Sequence, residues 1–298
     1  MLCGPTSMES EPGFATGSIR WEGPQLLAEA RSLLVEVRTL PTSEPATGAH
    51  VTGGLCRTVA TPGAATVMRA RKREGMTRGD FSEERARMVE EQIEARGIRD
   101  PWVLHAMRTV PREEFVSARL QESAYDDGPL PIGEGQTISQ PYVVALMTEA
   151  VQPKPGNRGL EIGTGSGYAA AVLATIVSEV FTVERLGPLA ESADRLLTRL
   201  GYRNVHVLHG DGTIGWAEHA PYDVIIVTAG GPFVPSALLE QLAIGGRLIM
   251  PVGSALRFQC LVRMTRAGAE TYEREDLEEV AFVPLIGMQG WRDAKSAA

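Results

Sequence analysis

Cysteine is scarce in this chain: three in 298 residues, Cys3, Cys56 and Cys260, with no CxxC pair among them. That spacing argues against a disulfide framework and against a cysteine-ligated zinc site. Excess positive charge is also missing, since 29 Lys and Arg face 37 Asp and Glu for a net charge of −8. A sequence-independent grip on nucleic acid needs clustered cations to neutralise phosphates, so no nucleic-acid partner is expected. No run of 18 uncharged apolar residues occurs, and the N-terminus lacks the basic-then-apolar pattern of a secretory signal. A cytoplasmic protein with no membrane partner is the expectation. What the chain does have is apolar material, 43% of its residues, enough for burial to outweigh chain entropy over most of its length.

Composition changes near residue 76. Residues 1–75 are rich in Pro, Gly, Ser and Thr and near charge balance, whereas residues 76–298 carry 21 cations against 30 acids. The first segment reads as a poorly ordered extension, with one possible helix over residues 25–40 carried by Leu26, Leu27, Ala30, Leu33, Leu34 and Val37. A single domain is expected over residues 76–298. It divides into a helical and lip-forming part (76–155), a cofactor-binding sheet (156–253) and a C-terminal hairpin and tail (254–298). Ser82 is placed to cap the first helix, Gly97 to end it, and Asp100-Pro101 to start the second.

After Pro155 strands and helices alternate. Strands are expected at Arg158–Ile162, Val180–Glu184, Val205–His209, Asp223–Thr228 and Arg247–Val252. Helices are expected at Tyr168–Val177, Pro188–Leu200 and Pro235–Leu242. Such alternation means βαβ units around a mostly parallel sheet, so the fold class is α/β, doubly wound. Residues 257–285 hold no helix long enough for a crossover and fit an antiparallel hairpin at the sheet edge.

The sharpest motif is Leu160-Glu-Ile-Gly-Thr-Gly-Ser-Gly-Tyr168. Gly163, Gly165 and Gly167 follow a strand and lead into a helix, the position where doubly wound sheets bind nucleotides. The spacing is GxGxG, not the GxGxxG that seats a pyrophosphate. Glu161 would set a carboxylate near the pocket, suited to a ligand ammonium. Glu184 ends the next strand, where a carboxylate can accept from both ribose hydroxyls. Asp211, in His209-Gly-Asp-Gly212, follows the third strand and could meet an adenine amino group. A nucleoside joined to a cationic amino acid, without phosphate, describes S-adenosyl-L-methionine. A plainer reading has these three acids capping helices or closing turns. His206 and His209 lie three apart on a strand and point to opposite faces, so no metal is expected.

The segments Val110-Pro-Arg-Glu-Glu-Phe-Val116, Gly135-Gln-Thr-Ile-Ser-Gln-Pro141, Leu160–Tyr168, His209–Gly212, Pro221–Thr228, Gly245–Gly253 and Phe282-Val-Pro-Leu285 together resemble the protein-L-isoaspartate (D-aspartate) O-methyltransferase family. The likeness runs from about Phe81 to Trp291, and the Gly135–Pro141 segment is its specific part. It implies a methyltransferase-type sheet and methyl transfer from S-adenosyl-L-methionine to the free carboxyl of isoaspartyl residues in damaged proteins, with repair through a succinimide. It also implies Ser139 as the active-site residue, and Glu161, Gly163, Thr164, Gly165, Glu184, Asp211 and Gly212 as cofactor-binding.

The acceptor is an α-type carboxyl with a pKa near about 3.5, ionised at neutral pH without a general base. Ser139 can donate to one carboxylate oxygen and turn the other toward the methyl; its alternative is a helix N-cap ahead of Val143. Gln136, Thr137 and Ile138 are expected to form the lip against substrate backbone. Damaged proteins and peptides are the expected partners, and a monomer is expected. Two rival readings keep the cofactor. One has a carboxyl acceptor on a modified peptide or small molecule, suggested by Gly230–Gly231; the other has a non-catalytic cofactor-binding module.

Overall fold

A computed structural model describes residues 19–22, 80–255 and 258–292. The helix expected over residues 25–40 lies outside these residues. Strand β1 (Ile19–Glu22) comes first, then helix α1 (Ser82–Met88), which widens into a π turn and then tightens into a 3₁₀ turn as far as Arg96. Gly97, at φ +99°, ends it. Ser82 is the first helical residue and not the cap: the Asp80 carboxylate accepts from its N–H at 3.0 Å. Helix α2 (Pro101–Thr109) starts as the sequence suggests, with Asp100 accepting from the N–H groups of Trp102 and Val103 and proline in the first turn.

Strands β2 (Leu130–Gly133) and β3 (Gln136–Ile138) form a separate small hairpin, followed by α3 (Pro141–Ala150). Then comes the alternating part: β4 (Arg158–Ile162), α4 (Tyr168–Ala174), β5 (Glu179–Glu184), α5 (Gly187–Leu200), β6 (Val205–His209) and β7 (Tyr222–Val227). It continues through α6 (Ser236–Glu240), β8 (Leu242–Ala255), β9 (Phe258–Arg266) and β10 (Thr271–Val280).

The main sheet runs β1-β10-β9-β8-β7-β4-β5-β6. Strands β6, β5, β4, β7 and β8 pair in parallel, while β9, β10 and β1 add antiparallel strands at one edge. The expected hairpin is therefore present. Residues 19–22, read from sequence as part of an extension, pair with β10, covering part of an edge that would otherwise present a row of unpaired backbone groups.

Period-two alternation sends side chains into two cores. Along β7, Val224 and Ile226 join the core under α1 to α5, while Ile225 and Val227 face the second core with Leu238, Leu248 and Met250. Each such burial stabilises the fold by roughly 1.5–3 kcal/mol. Central strand β4 has β5 on one side and β7 on the other. The chain leaves it toward β5 and β6, then returns to the opposite side. That reversal opens a crevice at the strand C-termini.

Replacing Asp100 with Ala removes the α2 cap. Urea unfolding should then show a loss of about 1 kcal/mol with an unchanged slope.

Candidate active site

The turn from β4 into α4 holds Gly163, Gly165 and Gly167 at φ +95°, +54° and +90°, in the left-handed region open to glycine. A Cβ on Gly163 would stand 2.4 Å from Thr228 Oγ1. That hydroxyl is shared between the carbonyls of Ile162 (3.0 Å) and Gly163 (2.7 Å), tying the end of β7 to the loop. From the other side, Glu184 at the end of β5 accepts from the N–H of Gly165 and from that of Leu186, both at 2.9 Å.

These ends border a small cleft, about 100 Å³ in volume and open to solvent at its mouth. Gly163, Gly165, Glu184, Arg185 and Gly212 contribute from the sheet side, Thr228 and Ala229 from the end of β7. Gln136 and Thr137 of the small hairpin close one side, and Val283–Ile286 form the opposite wall. Gly230 holds that wall in place: its N–H donates to the Val283 carbonyl and its carbonyl accepts from Leu285, both at 2.8 Å.

Several expected contacts fall elsewhere. Glu161 is 1% exposed and does not line the cleft. Leu160 and Ile162 face the second core, so alternation turns Glu161 to the other face, beneath α4. There it accepts from Thr182 Oγ1 at 2.6 Å, and Thr182 in turn lies 2.6 Å from Thr164 Oγ1. Thr164 is likewise buried beneath the loop. Ile138 sits in the first core at 4% exposed, so its side chain is no part of the lip. Asp211 is not among the cleft-lining residues. Its Oδ1 accepts from the N–H and hydroxyl of Thr213 (2.8 and 2.7 Å) and its Oδ2 from the Met288 N–H (2.8 Å), anchoring the C-terminal segment. Ser139 is half-buried, two residues beyond Thr137, and outside the cleft-lining set. It does not cap α3, whose cap position is Gln140. The Val283–Ile286 wall had a signal in the Phe282–Leu285 segment, but nothing in its residue types announced a lining role.

Burial pushes the Glu161 carboxyl up to about 8, with the neighbouring Glu184 charge acting in the same direction. The Thr182 hydroxyl and the Ala170 N–H pull it down. The donor set suits a nucleoside better than a phosphate. One carboxylate lines the cleft, the glycine loop bares backbone, and Arg185 is the single cation among the lining residues.

A cleft at the switch point of a doubly wound sheet, walled by a glycine loop and a strand-end carboxylate, is a nucleoside-binding site, the class of site that S-adenosyl-L-methionine-dependent methyltransferases share. The model of the protein-L-isoaspartate(D-aspartate) O-methyltransferase family matches residues 83–290. Protein-L-isoaspartate O-methyltransferase 1 of Rhodopseudomonas palustris (strain HaA2) is 59% identical over 211 residues, 71% of this chain and 86% of the relative. Protein-L-isoaspartate O-methyltransferase 2 of Pelobacter propionicus is 59% identical over 204 residues, 68% and 91% of the two chains. Among solved structures, a Plasmodium falciparum protein described as a protein-L-isoaspartate O-methyltransferase, in complex with S-adenosyl-L-homocysteine, superposes with a TM-score of 0.59. It is 27% identical and covers 68% of this chain and 98% of its own. The chain belongs to the protein-L-isoaspartate(D-aspartate) O-methyltransferase family.

The folded chain keeps a proton on Glu161 up to about pH 8, while the unfolded chain loses it in the ordinary carboxylate range. Between those values the folded state binds more protons, so this group's contribution to stability declines as pH rises. Glu161→Gln removes that decline. Melting temperatures at pH 6 and pH 8.5 should fall further for the parent than for the variant, and parallel falls would contradict the assignment.

Proposed function

We propose that this chain transfers a methyl group from S-adenosyl-L-methionine to the free carboxylate of isoaspartyl residues in damaged proteins and peptides. The observation that carries it is the small hairpin bordering the glycine-loop cleft. A Cβ on Gly165 would lie 3.2 Å from Ile132 Cδ1, so an acceptor held at Gln136 and Thr137 stands beside the donor site.

When bound, S-adenosyl-L-methionine supplies a methyl on a positively charged sulfur, an electrophile for an anion. Gly163, Gly165, Glu184 and Gly212 are the cleft residues that would hold it. Glu184 spends part of its accepting capacity on Gly165 and Leu186. A carboxylate has about four lone-pair sites, so capacity remains for ribose hydroxyls. Glu161, Thr164 and Asp211 serve the cofactor indirectly, by supporting the loop and the C-terminal wall. On the acceptor side the substrate arrives already ionised, and one carboxylate oxygen replaces sulfur on the methyl carbon. No proton has to move for that bond to form. Ser139 makes no hydrogen bond through its hydroxyl to another described residue, which leaves the O–H to donate to the second carboxylate oxygen. Orientation of this kind can supply up to roughly 7–11 kcal/mol of a barrier.

Gln136 and Thr137 lie on a three-residue strand and offer main-chain groups to an extended peptide. Recognition through backbone suits an acceptor that arises in many sequences. Among the described residues no helix is long and apolar enough to cross a membrane. A monomer working in the cytoplasm completes the proposal.

Tritiated methyl should pass to an isoaspartyl peptide and not to its aspartyl twin; equal labelling, or none, would overturn the assignment. Ser139→Ala should lower kcat by roughly 10- to 100-fold, the worth of a hydrogen bond to a charged group. S-adenosyl-L-homocysteine affinity should stay within about twofold. Parental turnover by this variant would remove Ser139 from the reaction.

A further inference from the structure

Arg112 lies between α2 and the small hairpin, and nothing in the reaction above uses it. Its side chain is fully buried. Nε donates to the Ala124 carbonyl and Nη2 to the Ser139 carbonyl, each at 2.7 Å. The guanidinium carbon stands 4.8 Å from the centre of the Tyr168 ring. Tyr168 is the first residue of α4, directly after the glycine loop, and is itself buried. Nη1 has no hydrogen-bond partner.

Among the described residues no carboxylate pairs with Arg112. Its neighbour Glu113 is held by Arg85 at 2.9 Å and by the Tyr125 hydroxyl. A buried cation without a counter-ion is costly, and an apolar side chain of similar volume would fill the space at lower cost. The contacts it makes are specific ones. A planar fork reaches the main chain of the acceptor side, and the guanidinium carbon stands over the ring that follows the cofactor loop. Its charge stands one hydrogen bond behind Ser139, in surroundings where water screens little.

We propose that Arg112 is a positioning residue for methyl transfer: it fixes Ser139 relative to the glycine loop, and its unbalanced charge is complemented by the substrate carboxylate. This rests on the reading of Ser139 given above, and wild-type turnover of an isoaspartyl peptide tests that reading separately. Arg112→Lys keeps the charge and loses the fork, whereas Arg112→Gln loses both.

The full chain and its variants would be compared by kcat, peptide KM, S-adenosyl-L-homocysteine affinity by calorimetry, and melting temperature. The Lys variant should lose at least tenfold in kcat with peptide KM within threefold and cofactor affinity within twofold. The Gln variant should show a similar loss of kcat together with a fivefold or larger rise in peptide KM. Turnover by the Lys variant above half the parent's would overturn the proposal. So would losses of kcat matched by equal losses of cofactor affinity, the mark of general loosening. Should either variant fail to fold, the ring partner tests the same link. Tyr168→Leu should lose at least fivefold in kcat, and Tyr168→Phe, which keeps the aromatic face, should recover most of it. Equal kcat for these two would overturn the proposal.

Discussion

The turn from β4 into α4 is the constraint on which the rest of the site depends. Three glycines in left-handed conformations bring the chain out of the central strand and into a helix within a few residues. Thr228 secures the turn from β7 and Glu184 from β5, so the strands flanking the switch point also fix the shape of the cleft. Folding and binding here use one set of groups. The carboxylate that holds the Gly165 N–H also lines the cleft, as do Gly163 and Gly165 of the turn.

Charge is managed sparingly around this turn. Glu161 and Glu184 are close enough to repel, and two buried carboxylates side by side would be expensive. Burial keeps the proton on Glu161 at neutral pH, leaving one anion facing the cleft. The chemistry needs little more from the protein. Donor and acceptor bring opposite charges that vanish as the new bond forms. The chain's work is to align them and to exclude the water that would stabilise them apart. On the reading proposed above, a hydroxyl, a few main-chain groups and a rim of glycines are enough for that.

Much of the fold could be read from residue order. The bounds of β4 and β6 fall at Arg158–Ile162 and Val205–His209 as predicted, because short apolar runs bounded by turn residues leave little ambiguity, for the buried β4 and the half-exposed edge strand β6 alike. The place of Gly163, Gly165 and Glu184 at the cleft was legible for the same local reason: they stand at strand ends. Glu161, Thr164 and Ile138 are buried and do not line the cleft, since motif position says that a residue is near a site but not which way alternation points it. Asp211 is engaged by a distant event, the docking of Met288 some 77 positions later, and no local pattern encodes that contact. The Val283–Ile286 wall and the pairing of β1 with β10 are long-range in the same sense. Arg112 sat inside a noticed segment, yet its burial beneath Ser139 is a tertiary fact.

The central claim is that the glycine turn and Glu184 form the nucleoside seat. A crystal structure with S-adenosyl-L-homocysteine tests it most directly. The account predicts the ribose hydroxyls within about 2.5–3.0 Å of the Glu184 carboxylate and the nucleoside packed along Gly163, Gly165 and Gly212. A nucleoside bound outside this cleft, or a Glu184 that touches only Gly165 and Leu186 in the complex, would contradict it.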